Sequence, residues 1–225
     1  LQEVWNIKEN TINLTIDGYL GPIKKLRENQ NGGGVAFYIK SGTDFNIVND
    51  LTFIKPDEIE VLTIKIKTSR KAHFITSLYR PPRNNKLQKF YESLEYLVNK
   101  KNTIDKNATH DILGDYNINL LNNKLREDFF ENSLCNGLLP IITRPTRITE
   151  NTCSLIDNIL TNDPINTQSY IMPSTISDHF HVILSRSTNK EKSKTLETTF
   201  RPITEENIAL LKEQLSNFNW NNILA

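Results

Sequence analysis

The sequence predicts an α/β protein in which two β-sheets pack together with helices outside them. Three observations predict it. Glu60-Val-Leu-Thr-Ile-Lys-Ile-Lys67 alternates apolar and polar residues, as a half-solvated strand does. Lys86 to Lys100 sets Leu87, Phe90, Tyr91, Leu94, Leu97 and Val98 at helical spacing, giving one apolar face to lay on a sheet. Strands outnumber helices and do not alternate strictly with them, which argues against a doubly wound parallel sheet.

The elements follow in order. Leu1-Gln-Glu-Val4 reads as the middle of a strand, with no initiator Met and neither the basic nor the apolar stretch of a signal peptide. The chain is therefore expected to be a piece cut from something longer. Gly32-Gly-Gly34 forms a loop with free φ before the β-rich run Val35-Ala-Phe-Tyr-Ile-Lys40. Ala72 to Tyr79 pairs with the 60–67 strand across a turn at Ser69-Arg-Lys71, and stops at Arg80-Pro-Pro82 because proline removes ladder donors. Asp111 to Asp115 is a short buried strand, and Lys124 to Cys135 a helix. Leu138–Ile142, Thr152–Leu160, Gln168–Met172 and His179–Leu184 read as further strands. Residues 187–199 are polar and lysine-rich, a linker by composition. Thr204-Glu-Glu-Asn opens a last helix, with Thr204 as N-cap and acidic residues suited to the helix dipole. This divides the chain into a domain at 1–186, a linker at 187–199 and a helical segment at 200–225.

Composition bounds the classes. At 225 residues, 37% hydrophobic and 24% charged, the chain is too apolar for a disordered tail, and no run approaches the ~20 apolar residues of a membrane span. A net charge of +1 nominates no partner in bulk, although a groove needs only a local basic lining to bind nucleic acid. Cys135 and Cys153, with four histidines, exclude a disulfide scaffold and a Cys/His zinc finger, and both thiols are expected to be reduced and buried inside an intracellular protein. Asn makes up roughly one residue in eight, a compositional bias.

Four polar clusters fall at predicted strand ends. Glu3 is either an edge residue in solvent or a ligand for a hard cation. Asp115 and Asn117 can point the same way after a strand, although Asp-x-Asn is also an ordinary turn. Asp157 stands inside an otherwise apolar strand, where a lone carboxylate is costly and needs a His, an Arg or a metal. His179, in Ser177-Asp178-His179, is its natural partner, since a carboxylate raises imidazole basicity and fixes its orientation. Taken together, carboxylates for a divalent ion, an Asp for a water proton, an Asn donor and a His facing a charged oxygen fit phosphodiester hydrolysis.

The order Gln2-Glu3, Ser77-Leu-Tyr-Arg-Pro-Pro82, Gly114-Asp-Tyr-Asn117, Ser154-Leu-Ile-Asp157, Ser177-Asp-His179 resembles the endonuclease/exonuclease/phosphatase superfamily. It is most similar to the apurinic-endonuclease-like domain of non-LTR (LINE-type) retrotransposon polyproteins, whose branch also carries Gly32-Gly-Gly-Val-Ala-Phe-Tyr-Ile39 and Thr143-Arg-Pro-Thr-Arg-Ile-Thr149. The resemblance runs from residue 1 to Arg186, and Phe200 to Trp220 looks like the segment leading toward a reverse transcriptase. It implies a DNase I-like four-layer sandwich and a Mg²⁺-dependent nuclease (Mn²⁺ as a substitute) that nicks DNA, hence residence in the nucleus. It implies that Glu3 is a metal ligand, that Tyr79 contacts the scissile phosphate region, and that Asp115 orients or deprotonates the attacking water. Asn117 would hold that water and the phosphate, Asp157 would orient His179, and His179 would stabilise the pentacovalent phosphate. Asp178 would assist at the metal or the leaving group. Arg80, Thr146, Arg147 and Ser177 would contact the phosphate backbone. Two departures stand out. The family has an upstream strand whose Asn helps bind the metal, and a piece without it is expected to fold poorly and cleave weakly. Asn158 follows Asp157 where many relatives place His. Two other functions stay open: another phosphodiesterase or phosphatase of the superfamily, or a remnant that only binds DNA or a partner.

Overall fold

A computed structural model describes residues 1–4, 15–28, 32–67, 71–82, 87–187 and 204–217. It divides the chain into two compact units, Leu1–Thr188 and Asn189–Ala225. In the first unit, β1 (Tyr19–Lys25) and β2 (Val35–Lys40) form an antiparallel ribbon. Residues 1–4 run alongside β2: the Leu1 amino group donates to Ala36 O (2.9 Å), Ala36 N–H to Leu1 O (2.9 Å) and Val4 N–H to Gly34 O (3.2 Å). The strand expected here is reduced to one bridge at Gln2, because Glu3 bends the backbone at φ +54°.

The scaffold of the site is a seven-stranded sheet. It comprises β3 (Phe45–Ile47), β4 (Phe53–Lys55), β5 (Ile59–Lys67), β6 (Ala72–Tyr79), β7 (Thr109–Asp115), β8 (Leu139–Pro140) and, after the small hairpin of β9 (Arg147–Ile148) and β10 (Cys153–Ser154), β11 (Asp157–Thr161). The order is β3-β5-β6-β7-β11-β8, with β4 also on β5. Among the described residues only the β6/β7 pair is parallel, and a parallel pair needs a long crossover. That crossover is α1 (Leu87–Ile104). A second helix, α2 (Asn123–Cys135), is capped by Asn122, whose side chain accepts from Leu125 N–H.

Side-chain alternation separates the two faces of the sheet. Val61, Phe74, Leu78, Ile112 and Leu160 pack beneath Phe90, Leu94 and Leu97 of α1 and Phe129 of α2. Each such burial contributes about 1.5–3 kcal/mol relative to exposure. The other face carries Leu62 and Tyr79, which meet Val35, Ile23 and Phe37 of the first ribbon. A second ribbon, β12 (Thr167–Met172) and β13 (His181–Arg186), is tied to the same face: Arg186 grips buried Asp111 at 2.6 and 3.1 Å. The α/β class is as expected, with a large sheet and smaller antiparallel pieces packed face to face.

Several expectations are corrected. The short strand expected at 111–115 extends back to Thr109, and Gly114 lies within it, where a Cβ would come 1.8 Å from Leu78 O on the parallel neighbour. The 138–142 strand shrinks to Leu139–Pro140, since proline ends the ladder; Asn158 then takes over, accepting from Ile142 N–H (3.2 Å) and donating to Ile142 O (3.0 Å). The 152–160 strand splits at Leu155–Ile156, where the chain leaves β9 to join β7. The expected strand at His179 begins at His181. Both cysteines are exposed, unlike the buried thiols expected. Among the described residues, no helix is long and apolar enough to cross a membrane.

In the second unit, α3 (Glu205–Asn217) starts as the sequence predicts, with the Thr204 hydroxyl accepting Asn207 N–H at 3.2 Å. Ser69, Arg70 and Lys86, with linker positions 188–199 and Trp220, lie outside the described residues.

Candidate active site

Strand register assembles the site. Asp115 ends β7, and Asp157, which begins β11, is its antiparallel cross-strand partner. On the other side Tyr79, the last residue of β6, is in parallel register with Asp115. Partners in register share a face, so Tyr79, Asp115 and Asp157 form a row across three strands at one end of the sheet. His179, just before β13, brings Nδ1 to 3.0 and 3.1 Å from the two Asp157 oxygens. Glu3 accepts a hydrogen bond from the Tyr79 hydroxyl. Glu3, Asp115, Asp157 and His179, with Ser77 and Ser177, line one open cavity of about 540 Å³.

Asn117 adopts φ +48°, a left-handed conformation that Asn tolerates. Its backbone N–H donates to Asp115 Oδ1 (2.8 Å), and its amide donates to Asp115 Oδ2 (3.0 Å) and to Arg80 O (2.8 Å). Both amide protons are thus used within the protein, so Asn117 orients Asp115 here, where a direct grip on water and phosphate was expected.

The charges are strongly coupled. Burial, then the neighbouring Asp157 carboxylate, pushes the Asp115 carboxyl up to about 7, against the Asn117 hydrogen bond and His179. The hydrogen bond to Asp157 holds the His179 imidazole above its ordinary value, against burial. Burial and the bond to Glu3 raise the Tyr79 phenol well above its usual range, so it stays a donor.

Arg80, Thr146, Arg147 and Asp178 are not among the residues that line the cavity, whereas Ser177 is. Arg80 is 3% exposed and donates inward to Asn117 O (3.1 Å), with Phe90 under its guanidinium, so it holds the Asn117 turn. Thr146 is fully buried, and its hydroxyl accepts from Ile156 N–H (3.3 Å) and Asp157 N–H (3.1 Å), fixing the start of β11. Neither can touch a ligand's phosphate. Asp178, expected to assist at the metal or the leaving group, is held by Arg147 (2.6 Å) and stays half-exposed outside the cavity lining, and the same ion pair occupies Arg147. The Arg147 hydrogen bond lowers the Asp178 carboxyl. Ser177 is exposed at the rim, its hydroxyl accepting His179 N–H at 3.1 Å.

Residues 73–183 match the family described as endonuclease-reverse transcriptase. The fold is similar to that of the endonuclease domain of TRAS1, a telomere-specific non-LTR retrotransposon (TM-score 0.61, 14% identity, 74% of this chain and 80% of that one). An endonuclease/exonuclease/phosphatase family protein from Leptotrichia buccalis is also similar (TM-score 0.55, 16% identity, 83% and 85% covered). So is a mannosyl-6-phosphatase from Bacteroides thetaiotaomicron (TM-score 0.51, 16% identity, 76% and 77% covered). None of the curated proteins compared with the chain matches it. The fold is that of endonuclease/exonuclease/phosphatase proteins, and residues 73–183 carry the family match.

Superfamily members are hydrolases of phosphate esters, and their fold is generally metal-dependent. In this domain Asp115, Asp157 and His179 each bring a donor atom within 4.8 Å of the others. The carboxylate oxygens suit a hard divalent cation, while the His179 nitrogen facing Asp157 is used in their hydrogen bond. Burial raises the Asp115 carboxyl most, and the Asp157 charge raises it further; a cation between the two would offset that second part. Two contributors escaped the sequence reading. Ser77 could have been found from its alternation with Tyr79 along β6. Thr146 as a brace for Asp157 carries no sequence signal, because a Thr beside an Arg reads equally well as a surface residue.

Proposed function

We propose that the chain is a Mg²⁺-dependent DNA endonuclease that nicks target DNA for retrotransposition, working in the nucleus beside a reverse transcriptase domain of the same polyprotein. The observation that carries the reading is the convergence of Glu3, Asp115, Asp157 and His179 on one cavity, with Tyr79 bonded to Glu3 behind it. The endonuclease-reverse transcriptase family match and the likeness to the TRAS1 endonuclease domain direct it toward DNA.

Each residue then has a task. Asp115, with a carboxyl titrating near neutrality, takes the proton of the attacking water, and a positioned base of this kind is worth about 10²–10⁴-fold. Asn117 keeps both Asp115 oxygens oriented toward that water. His179 gives its Nδ1 side to Asp157 and offers Nε2 to the oxygen on which charge grows. Tyr79 remains protonated and donates to Glu3, holding that carboxylate at the phosphate region. Glu3 is assigned to hold the cation with Asp115 nearby, and a bound Mg²⁺ supplies Lewis-acid charge at the phosphoryl oxygen.

The test is relaxation of supercoiled plasmid with Mg²⁺, with and without EDTA. Nicking that EDTA abolishes is expected. A chain carrying the upstream strand that leaves plasmid intact under all divalent cations contradicts the reading. The likeness to the mannosyl-6-phosphatase favours one second reading, a phosphomonoesterase. Release of phosphate from sugar phosphates, with none of the plasmid nicked, would select it.

A further inference from the structure

Glu60, on β5, is 1% exposed and takes no part in the chemistry assigned above. A buried carboxylate is costly unless paired, and this one has two partners: an ion pair with Arg27 and a hydrogen bond from Gly34 N–H. The Arg27 guanidinium packs against the glycine loop so closely that a Cβ on Gly33 would lie 2.4 Å from Arg27 Nε. Glu60 therefore pins both sides of that loop.

The loop in turn holds the segment that carries Glu3. Gly34 O accepts Val4 N–H, and Leu1 pairs with Ala36 one step further on. A second line reaches Glu3 from the same place. Glu60 and Tyr79 are cross-strand partners on one face of the sheet, and Tyr79 donates its hydroxyl to Glu3. Glu3 is thus restrained through its backbone and through its carboxylate, and both restraints rest on the end of β5 that Glu60 occupies. Stability alone does not account for the pair, since apolar residues of similar volume usually replace a buried ion pair at no loss.

We propose that Glu60, with Arg27, is a positioning residue that holds Glu3 at the cavity. The inference deepens the proposed function, because it takes Glu3 as the carboxylate facing the cation. It is tested on the full chain with R27M/E60L, which removes the pair and the Gly34 acceptor while keeping side-chain volume. Three quantities are read: the thermal midpoint, amide exchange at Val4, and Mn²⁺ affinity by calorimetry. The expected result is a folded chain with a midpoint lowered by a few degrees as Gly34 N–H loses its acceptor, Val4 exchange faster by about tenfold or more, and Mn²⁺ binding weaker by about 10–100-fold, the usual effect of losing a group that orients a ligand. R27Q/E60Q, which restores an acceptor for Gly34, is expected to recover most of both. A folded R27M/E60L with Val4 protection and Mn²⁺ affinity intact overturns the proposal. If that variant does not fold, Arg27→Lys is read in the same way, and again unchanged Val4 exchange overturns it. Faster Val4 exchange in a chain that binds no Mn²⁺ even unmutated supports the positioning role and removes the metal assignment instead.

Discussion

At the residue scale, Asp115 and His179 make opposite demands on pH. Asp115 must be ionised to accept a proton, and its carboxyl is pushed up to about 7 by burial and by Asp157. His179 must be protonated to donate, and Asp157 holds it above its ordinary value. Nicking rate against pH is therefore expected to be bell-shaped, rising through about 7 and falling at higher pH as the imidazolium is lost. Asp157→Asn should lower the His179 limb while leaving the chain folded, and kinetics from pH 5.5 to 9.5 would check both limbs. Thr146 is a different kind of residue. Its hydroxyl accepts two buried N–H groups, so Thr146→Val should cost about 1–3 kcal/mol of stability, measured by denaturant unfolding. Its sequence setting, Arg144-Pro-Thr-Arg147, suggested a phosphate contact, and a hydroxyl that braces a backbone is indistinguishable there from one that binds a ligand.

At the element scale, the β6/β7 parallel pair sets the geometry of the site, because it fixes Tyr79 beside Asp115. The pair tolerates no side chain at position 114, where a Cβ would meet Leu78 O at 1.8 Å. Gly114→Ala is expected to destabilise by about 1–3 kcal/mol or more through overpacking, and to slow nicking beyond its effect on folding. Circular dichroism melts alongside plasmid assays would separate the two. Much of this scale was legible beforehand. The alternation of 60–67, the helical spacing after Lys86 and the Gly-Asp-x-Asn tip each located an element that the structure contains. What could not be read was anything that depends on two distant strands meeting. The short strands β3 and β4 carry too few residues for a period, and β8 ends where Pro140 removes a donor, after which the Asn158 side chain replaces the ladder. Glu60 likewise looked like one polar position in an alternating strand, and only the loop packed against it accounts for its burial.

At the scale of the whole molecule, the site weighs on stability. Asp115 binds a proton more tightly folded than unfolded, so between its ordinary value of 3.8 and about 7 the native state holds more protons, and stability falls as pH rises through that window. His179 acts in the same direction: its raised value contributes stability below its ordinary value of 6.5 that is lost as pH climbs through the folded value. Asp111 runs the other way. Burial would raise its carboxyl, but His73, Arg186 and Thr161 bring it below its ordinary 3.8, so its contribution is present above that value and lost only in stronger acid. The thermal midpoint is expected to decline from about pH 4.5 to 8, and added Mg²⁺ should flatten the decline by favouring ionised Asp115. A midpoint that climbs over this range would contradict the electrostatic account.

The most direct measurement is a double-mutant cycle in single-turnover plasmid nicking with Asp115→Asn, His179→Ala and both together. Groups that serve one transition state from one cavity are expected to be non-additive, with the double variant about as slow as the worse single variant. Losses that multiply, or single variants that nick at the unmutated rate, would show that Asp115 and His179 do not act together on a phosphodiester.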